Sequence, residues 1–173
     1  RDIAGAFNRL VKEDYFALPE PMILGSGARV MSLKDGASKM SKSDEVDGSR
    51  INLTDNDETI AFKIKRAKTD SIAEIYYNKE ERPEMSNLLS IFASFSDKKI
   101  AEIEKHYHGL GSAAFKKDLA DLVIASLSFI RVEHKKLMND TSYVMRVLTS
   151  GHDRIQPIAT RNFAKIKTLM GSY

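Results

Sequence analysis

Lys39 and Lys42 stand three residues apart in the stretch SKMSKSD, among small and polar residues. A lysine carries a compact charge with three hydrogen-bond donors on a flexible stem. Two such charges on one loop suit a polyphosphate, because the charge that develops during nucleotidyl transfer must be stabilised where it forms. Ser41 and Ser43 add small hydroxyl groups. We call residues 39–43 the lysine loop.

A solvated surface linker is the other interpretation of this segment. Lysine and serine are common in such linkers, so a lysine pair by itself favours the linker. The complete string KMSKS is a much rarer combination than the pair, and its rarity favours a functional loop.

The elements that must position the loop differ on its two sides. Apolar residues at helical spacing predict a helix at residues 1–13, and prolines and glycines interrupt the chain at 19–27. Residues 28–33 (ARVMSL) and 51–55 (INLTD) predict two short extended pieces around the loop. Asp55 or Asn56 is then expected to cap the next helix.

From residue 57 onward the pattern predicts helices almost throughout. Ser86 and Ser112 are expected to cap two of them. Pro157 is expected in the first turn of the last helix, or as a kink in it. The cations of residues 63–68 (KIKRAK) are expected on an outer face, as a second basic patch.

Composition excludes several classes of protein. Hydrophobic residues make up 42% of the 173 residues and charged residues 29%, as in ordinary globular proteins. The absence of cysteine excludes disulfides and thiolate metal sites, which fits a reducing cytoplasm, and the four histidines show no metal-ligand spacing. No apolar run is long enough to span a membrane, and no signal peptide opens the chain. A helix that begins at Arg1 suggests a piece of a longer protein.

Basic residues are concentrated towards the end of the chain. Residues 1–55 hold eight basic and nine acidic side chains, whereas residues 131–173 hold eight basic and three acidic ones. This excess predicts a polyanionic partner, with a solvated helical face as the alternative.

The string KMSKS resembles the second signature of the class I aminoacyl-tRNA synthetases, and its surroundings narrow the resemblance. The stretches GARVMSLKDGASKMSKSD, INLTD, IAFKIKRAKTD and SNLLSIFASF follow the order found in bacterial tryptophanyl-tRNA synthetases. The beginning RDIAGAFN and the final PIATRNFAKIKTLMG fit the same family. The resemblance therefore covers essentially the whole chain. It implies that the chain corresponds to the C-terminal half of a family member.

This resemblance implies an ATP-dependent ligase that joins tryptophan to tRNA(Trp) in the cytoplasm. ATP would enter with Mg²⁺ as a substrate complex, with no metal held by the protein. Lys39 and Lys42 would contact the ATP phosphates, with Lys42 on the departing pyrophosphate. The loop residues between and after them would shape the ATP site, and the backbone of Val30 would touch the nucleotide. The implied ATP-binding residues are Val30, Lys39, Met40, Ser41, Lys42 and Ser43.

The implied fold is mainly α. Residues 1–56 would be the C-terminal edge of a Rossmann-type catalytic domain, with a short strand and the lysine loop. Residues 57–173 would be an α-helical bundle that binds the tRNA anticodon. Phe163 is expected in the core, whereas Tyr143 could stack on a base. The candidate tRNA contacts are Arg131, Lys135, Arg146, Arg154 and Arg161.

The resemblance also implies what lies outside the chain. The family's first, histidine-rich signature and the tryptophan pocket find no counterpart here, so the 173 residues are predicted not to complete adenylation alone. The parent protein is expected to be a homodimer. Gly36 replaces a proline found in many members, which predicts a looser start of the loop.

Three other functions are compatible with parts of the pattern. A tyrosyl-tRNA synthetase or another class I nucleotidyl transferase would share the lysine loop. A non-catalytic tRNA-binding module could keep the loop as a relic, although a relic would tolerate loss of Lys39 or Lys42. A plain helical scaffold would show no salt-dependent affinity for tRNA.

Overall fold

A computed structural model describes residues 1–23 and 29–171. The prediction of a mainly helical chain is confirmed. The described part contains one short 3-10 helix, Asp47–Ser49, and six α-helices. These are α1 (Asp2–Val11), α2 (Asp57–Lys65), α3 (Pro83–Ser96), α4 (Ile100–Tyr107), α5 (Gly111–Asn139) and α6 (Thr141–Leu169).

The two extended pieces expected around the loop are not strands. Within residues 29–33 and 51–55, pairing is limited to one isolated antiparallel bridge between Met31 and Lys39. The other edge of Met31 is occupied by the side chain of Asn87, which takes both backbone groups that a further strand would pair with. The glycines expected to break the chain at 25 and 27 lie outside the described residues.

The described residues form two compact units. The central unit is Ile23–Lys135, and the terminal unit combines Arg1–Met22 with Lys136–Tyr173. The central unit holds an apolar core, whose burial is its main source of stability. Its most deeply buried side chains include Leu33, Ile60, Ile64, Met85, Leu88, Leu89, Ile103, Phe115, Leu119 and Val123.

The terminal unit has a much smaller apolar contact region. The rings of Phe7, Tyr15 and Phe16 contact one another with centroids 4.8–5.9 Å apart. Asn8 is the one buried residue among the described residues of this unit, and α6 has none.

The structure confirms some of the predicted helix caps and not others. The side chain of Asn56 caps α2 by accepting from the Thr59 N–H at 2.8 Å, which confirms one alternative. Ser86 is not a cap, because α3 already begins at Pro83, a residue suited to the first turn of a helix. The Ser86 hydroxyl instead accepts from the backbone N–H of Asn78.

The two long helices are also more continuous than predicted. α5 begins at Gly111, so Ser112 lies inside it. α6 runs through Pro157, so its expected place in the first turn of the last helix is wrong, and the proline lies inside the helix, as the alternative prediction had it. A proline removes one helical hydrogen bond, and the remaining bonds of this 29-residue helix continue on both sides of it.

Candidate functional site

The lysine loop begins at the single antiparallel bridge. The Met40 N–H donates to the Val30 carbonyl at 3.0 Å, and the Ser32 N–H donates to the Ser38 carbonyl at 2.8 Å. The side chains of Val30 and Met40 pack against the core. Backbone pairing and apolar contact therefore fix the start of the loop to the body of the central unit.

The tip of the loop is a compact serine turn. The hydroxyl oxygens of Ser41 and Ser43 lie 3.0 Å apart, and the Ser43 N–H donates to the Ser41 hydroxyl at 3.3 Å. The Asp44 N–H donates to the Ser41 carbonyl. The serines thus satisfy the turn locally and leave its shape independent of the lysine side chains.

Lys39 and Lys42 are both exposed. Within the described part of the chain, neither ammonium group has an ion-pair or hydrogen-bond partner. Their charges are therefore available to an anionic ligand, whereas most other cations around the loop are engaged.

The upstream segment, residues 30–38, is held by short polar contacts. Asp35 accepts from the Ser38 hydroxyl at 2.5 Å and from the Ala37 N–H at 3.0 Å. These two hydrogen bonds hold the pKa of the Asp35 carboxyl below its usual value.

Gly36 does not loosen this segment, contrary to the prediction. It is buried, and a Cβ placed on it would lie 2.6 Å from backbone atoms of Pro83 and Glu84 at the start of α3. Only a residue without a side chain permits so close an approach. Gly36 is therefore a packing point between the upstream segment and α3.

A side-chain amide from α3 holds the residue that pairs with Lys39. Asn87 donates through Nδ2 to the Met31 carbonyl and accepts through Oδ1 from the Met31 N–H, both at 2.9 Å. Sequence reasoning missed Asn87. Its signal was a polar residue one helical turn from Ile91, on the apolar face of α3.

The downstream segment, residues 44–55, is held by charged groups. Arg50 donates to the Asp44 carbonyl at 2.8 Å. The Lys63 ammonium, on α2, lies 2.7 Å from a carboxylate oxygen of Asp47 and 2.6 Å from one of Asp55. The Lys63 side chain is only 3% exposed.

Ion pairing sets the pKa values of this cluster. The hydrogen bond from Lys63 lowers the pKa of Asp47. Burial alone would raise the pKa of Asp55, but hydrogen bonds from Lys63 and Asn52 outweigh it and lower that pKa. Burial likewise opposes the charge of Lys63, and the two carboxylates outweigh it and raise its pKa.

The predicted outer basic patch at residues 63–68 is confirmed for Lys65, Arg66 and Lys68, which are exposed, and wrong for Lys63. Lys63 is buried between its two carboxylates, and Lys68 pairs with Glu84 at 2.7 Å. Arg66 lies over the ring of Phe62. The sequence signal was present, since Lys63 falls between Ile60 and Ile64 in the buried stripe of α2.

Arg82 organises the irregular segment between α2 and α3, and it too was missed. Its guanidinium is 1% exposed, donates twice to Asp70 at 2.8 and 2.9 Å, and lies 4.3 Å from the centroid of the Tyr76 ring. It also donates to the carbonyls of Ile72 and Glu74. This cation is structural and is closed to a ligand.

The candidate tRNA contacts fall in both units. In the central unit, Arg131 pairs with Asp57 and is largely covered, whereas Lys135 is exposed. In the terminal unit, the three arginines are exposed, and Arg146 also lies over the ring of Tyr143. These three are Arg146, Arg154 and Arg161.

Phe163 was expected in the core and is 62% exposed. The prediction is wrong because α6 buries none of its residues, so helical phase with Ile166 and Met170 does not imply burial there. Tyr143, the candidate for base stacking, is 45% exposed.

The described residues contain neither a cluster of metal ligands nor a membrane-spanning helix. No group of three or more histidine, aspartate or glutamate side chains is placed to hold a metal ion. None of the helices described is both long and apolar enough to cross a membrane.

A protein-family model described as "tRNA synthetases class I (W and Y)" matches residues 1–128. The chain belongs to this family. The resemblance drawn from the KMSKS string and its surroundings is thereby confirmed at the level of the family.

The similar curated proteins are named tryptophan–tRNA ligase. The tryptophan–tRNA ligase of Rickettsia bellii is 44% identical over 99% of the chain, and that of Caulobacter vibrioides is 41% identical over 99%. The chain spans about half the length of these relatives, 52% and 51%. These relatives support the tryptophanyl assignment over the tyrosyl alternative.

Solved structures agree with the fold. Tryptophanyl-tRNA synthetase from Mycoplasma pneumoniae superposes on the whole chain with a TM-score of 0.78 at 23% identity, which supports the fold alone. The enzyme from Campylobacter jejuni, complexed with ADP and tryptophan, gives a TM-score of 0.67 at 28% identity over 99% of the chain. The chain covers 52% of each.

Proposed function

We propose that this chain is the part of a tryptophan–tRNA ligase that supplies the lysine loop and the tRNA-binding helices. In the first step, the tryptophan carboxylate attacks the α-phosphate of ATP, which is bound with Mg²⁺, and pyrophosphate leaves. In the second step, the adenylate esterifies a terminal ribose hydroxyl of tRNA(Trp).

The observation that carries this proposal is a pair of exposed ammonium groups on a loop fixed on both sides, neither with a partner among residues 1–23 and 29–171. Lys39, which is bridged to Met31, contacts the ATP phosphates, and Lys42, at the tip, stabilises the departing pyrophosphate. Since phosphoryl-type chemistry depends chiefly on positioning and electrostatics, a tethered loop with free cations is what the reaction requires.

The remaining loop residues act through their backbone and packing. The Val30 carbonyl accepts from the Met40 N–H, which places the backbone of Val30 beside the start of the loop, where it touches the nucleotide. Met40 packs its side chain against the core, and Ser41 and Ser43 keep the turn in shape. The Campylobacter relative is complexed with ADP, which supports an adenine nucleotide as a ligand.

The same proposal covers the domains. Residues 1–56 form the C-terminal edge of the Rossmann-type catalytic domain, and residues 57–173 form the helical domain that binds the tRNA anticodon. The proposed boundary between residues 56 and 57 lies inside the central unit, because Leu33 and Ile60, on either side of it, belong to the same core. The exposed side chains of Lys135, Arg146, Arg154 and Arg161 support the tRNA contact, and Arg131 contributes if its pair with Asp57 opens.

The remaining parts of the proposal concern the whole ligase. Tryptophan binds in a pocket outside this chain, the ligase is a homodimer, and it works in the cytoplasm. The isolated 173 residues do not complete adenylation.

Tryptophan-dependent ATP–pyrophosphate exchange tests the proposal. It is measured, with tyrosine in parallel, on this chain, on the ligase that contains it, and on that ligase with Lys42→Ala. We expect exchange with tryptophan only, a silent isolated chain, and a loss of at least about a hundredfold with Lys42→Ala. A ligase silent with both amino acids would favour a non-catalytic tRNA-binding module, and exchange by the isolated chain would contradict the division of the site.

A further inference from the structure

Asn87 and Met31 form a closed pair of hydrogen bonds. The amide donates to the Met31 carbonyl and accepts from the Met31 N–H at 2.9 Å each, and the Asn87 residue is 6% exposed. The amide thus takes the place of a neighbouring strand. A side-chain amide carries both a donor and an acceptor, whereas an ionised carboxylate only accepts and a methyl group does neither.

The opposite edge of Met31 faces the lysine loop. Met31 is bridged to Lys39, and the hydrogen bonds on either side of this bridge join Ser32 to Ser38 and Met40 to Val30. One residue therefore connects the Asn87 amide to the backbone of the first catalytic lysine.

α3 is a firm support for this connection. Met85, Leu88 and Leu89, next to Asn87 in sequence, are each at most 1% exposed. Removing the amide would leave the Met31 N–H and carbonyl without partners in a half-buried position, and such groups are costly to leave unpaired. The hydrogen bonds on either side of the bridge to Lys39 would then have to position Met31 without the amide.

We propose that Asn87 is a positioning residue for the lysine loop, which fixes the Met31–Lys39 bridge and thereby the reach of Lys39 and Lys42 towards phosphate. The catalytic part of this inference rests on the proposed function. The structural part, that Asn87 holds the bridge, does not depend on any activity.

Amide hydrogen exchange on the 173-residue chain tests the structural part. We expect Asn87→Ala to speed exchange of the Ser32 and Met40 amides by at least about tenfold, while amides in the middle of α5 change little. Tyr107→Phe is the control, because it removes a different hydrogen bond in the same unit, from the Tyr107 hydroxyl to Asp118. Unchanged exchange at Ser32 and Met40 would overturn the inference.

A double-mutant cycle in the ligase tests the catalytic part. In the parent ligase, Asn87→Ala is expected to lower the rate of pyrophosphate exchange at least about tenfold and to leave the KM for tryptophan unchanged. In the ligase that already carries Lys42→Ala, adding Asn87→Ala is expected to lower the rate little further. Additive losses would mean that Asn87 acts by general stability and would overturn the positioning role.

The two tests separate the possible failures. A parent ligase without tryptophan-dependent exchange would refute the proposed function, and hydrogen exchange would still decide whether Asn87 holds the bridge. If Asn87→Ala does not fold, Asn87→Asp decides both tests, since it keeps the size and the acceptor and, when ionised, lacks the donor.

Discussion

The segments before and after the lysine loop are held by different kinds of contact. Upstream, Met31 is held by the neutral amide of Asn87, and Gly36 is packed directly on the backbone of α3. Downstream, Asp47 and Asp55 share the buried ammonium of Lys63.

This difference matters because the two kinds of contact respond to different perturbations. Close packing and neutral hydrogen bonds depend on shape and are insensitive to salt and mild changes of pH. Ion pairs depend on the protonation of both partners, and Asp47, whose side chain is 60% exposed, is within reach of solvent ions. We infer that the downstream segment yields to changes in charge more readily than the contact between Met31 and Asn87 does, although the Asp35 carboxylate makes the turn at residues 35–38 sensitive to low pH as well.

The largest expected effect comes from removing the charge at the centre of the downstream cluster. Lys63→Met keeps the length of the side chain but leaves Asp55, whose side chain is 10% exposed, without its counter-charge. Breaking such a pair should lower the free energy of unfolding by about 3 kcal/mol, measured by urea titration of the chain.

Lys65→Met is the matched control for this change. Lys65 lies on the same helix and is exposed, so its replacement should change the free energy of unfolding by less than about 0.5 kcal/mol. Equal effects of the two substitutions would mean that the downstream cluster is not held by the buried pair.

The upstream segment is tested by a second matched pair, of glycines. Gly36→Ala would place a methyl group 2.6 Å from the backbone of α3, whereas at Gly48 the nearest atom is the flexible end of Lys34 at 3.3 Å. We expect Gly36→Ala to lower the free energy of unfolding by about 2 kcal/mol in urea titrations and Gly48→Ala to have little effect. A tolerated Gly36→Ala would show that the upstream segment can move away from α3.

The sequence predicted the helices and the lysine loop because both leave local signals. Helical spacing of apolar residues predicted α1 to α5, and five consecutive residues carried the family signature. The starts of α3 and α5 were misplaced by a few residues, because serine was favoured as a cap over Pro83 and Gly111.

What the sequence did not predict are contacts between residues far apart in the chain. Asn87 meets Met31 across 56 positions, and Gly36 meets Pro83 across a similar distance. Lys63 was misplaced on the surface because charge was weighed above helical phase. A polar residue on the buried stripe of a helix indicates that such a contact exists, but it does not predict which residue is the partner.

The smallest expected effect is a difference in pH response between the two segments. The Asn52 N–H donates to Asp55, and the Met31 N–H donates to Asn87, so each amide reports on one side of the loop. Because ion pairing lowers the pKa of Asp47 and Asp55, the stability they contribute is present above the unfolded pKa near 3.8 and is lost as the pH falls through their lower folded values. In an NMR titration from neutral pH downward, the Asn52 amide should therefore shift below about pH 4 while the Met31 amide stays in place until the chain unfolds. Simultaneous movement of both amides would mean that the two segments open as one unit, and that the contrast between neutral and charged contacts has no consequence for the loop.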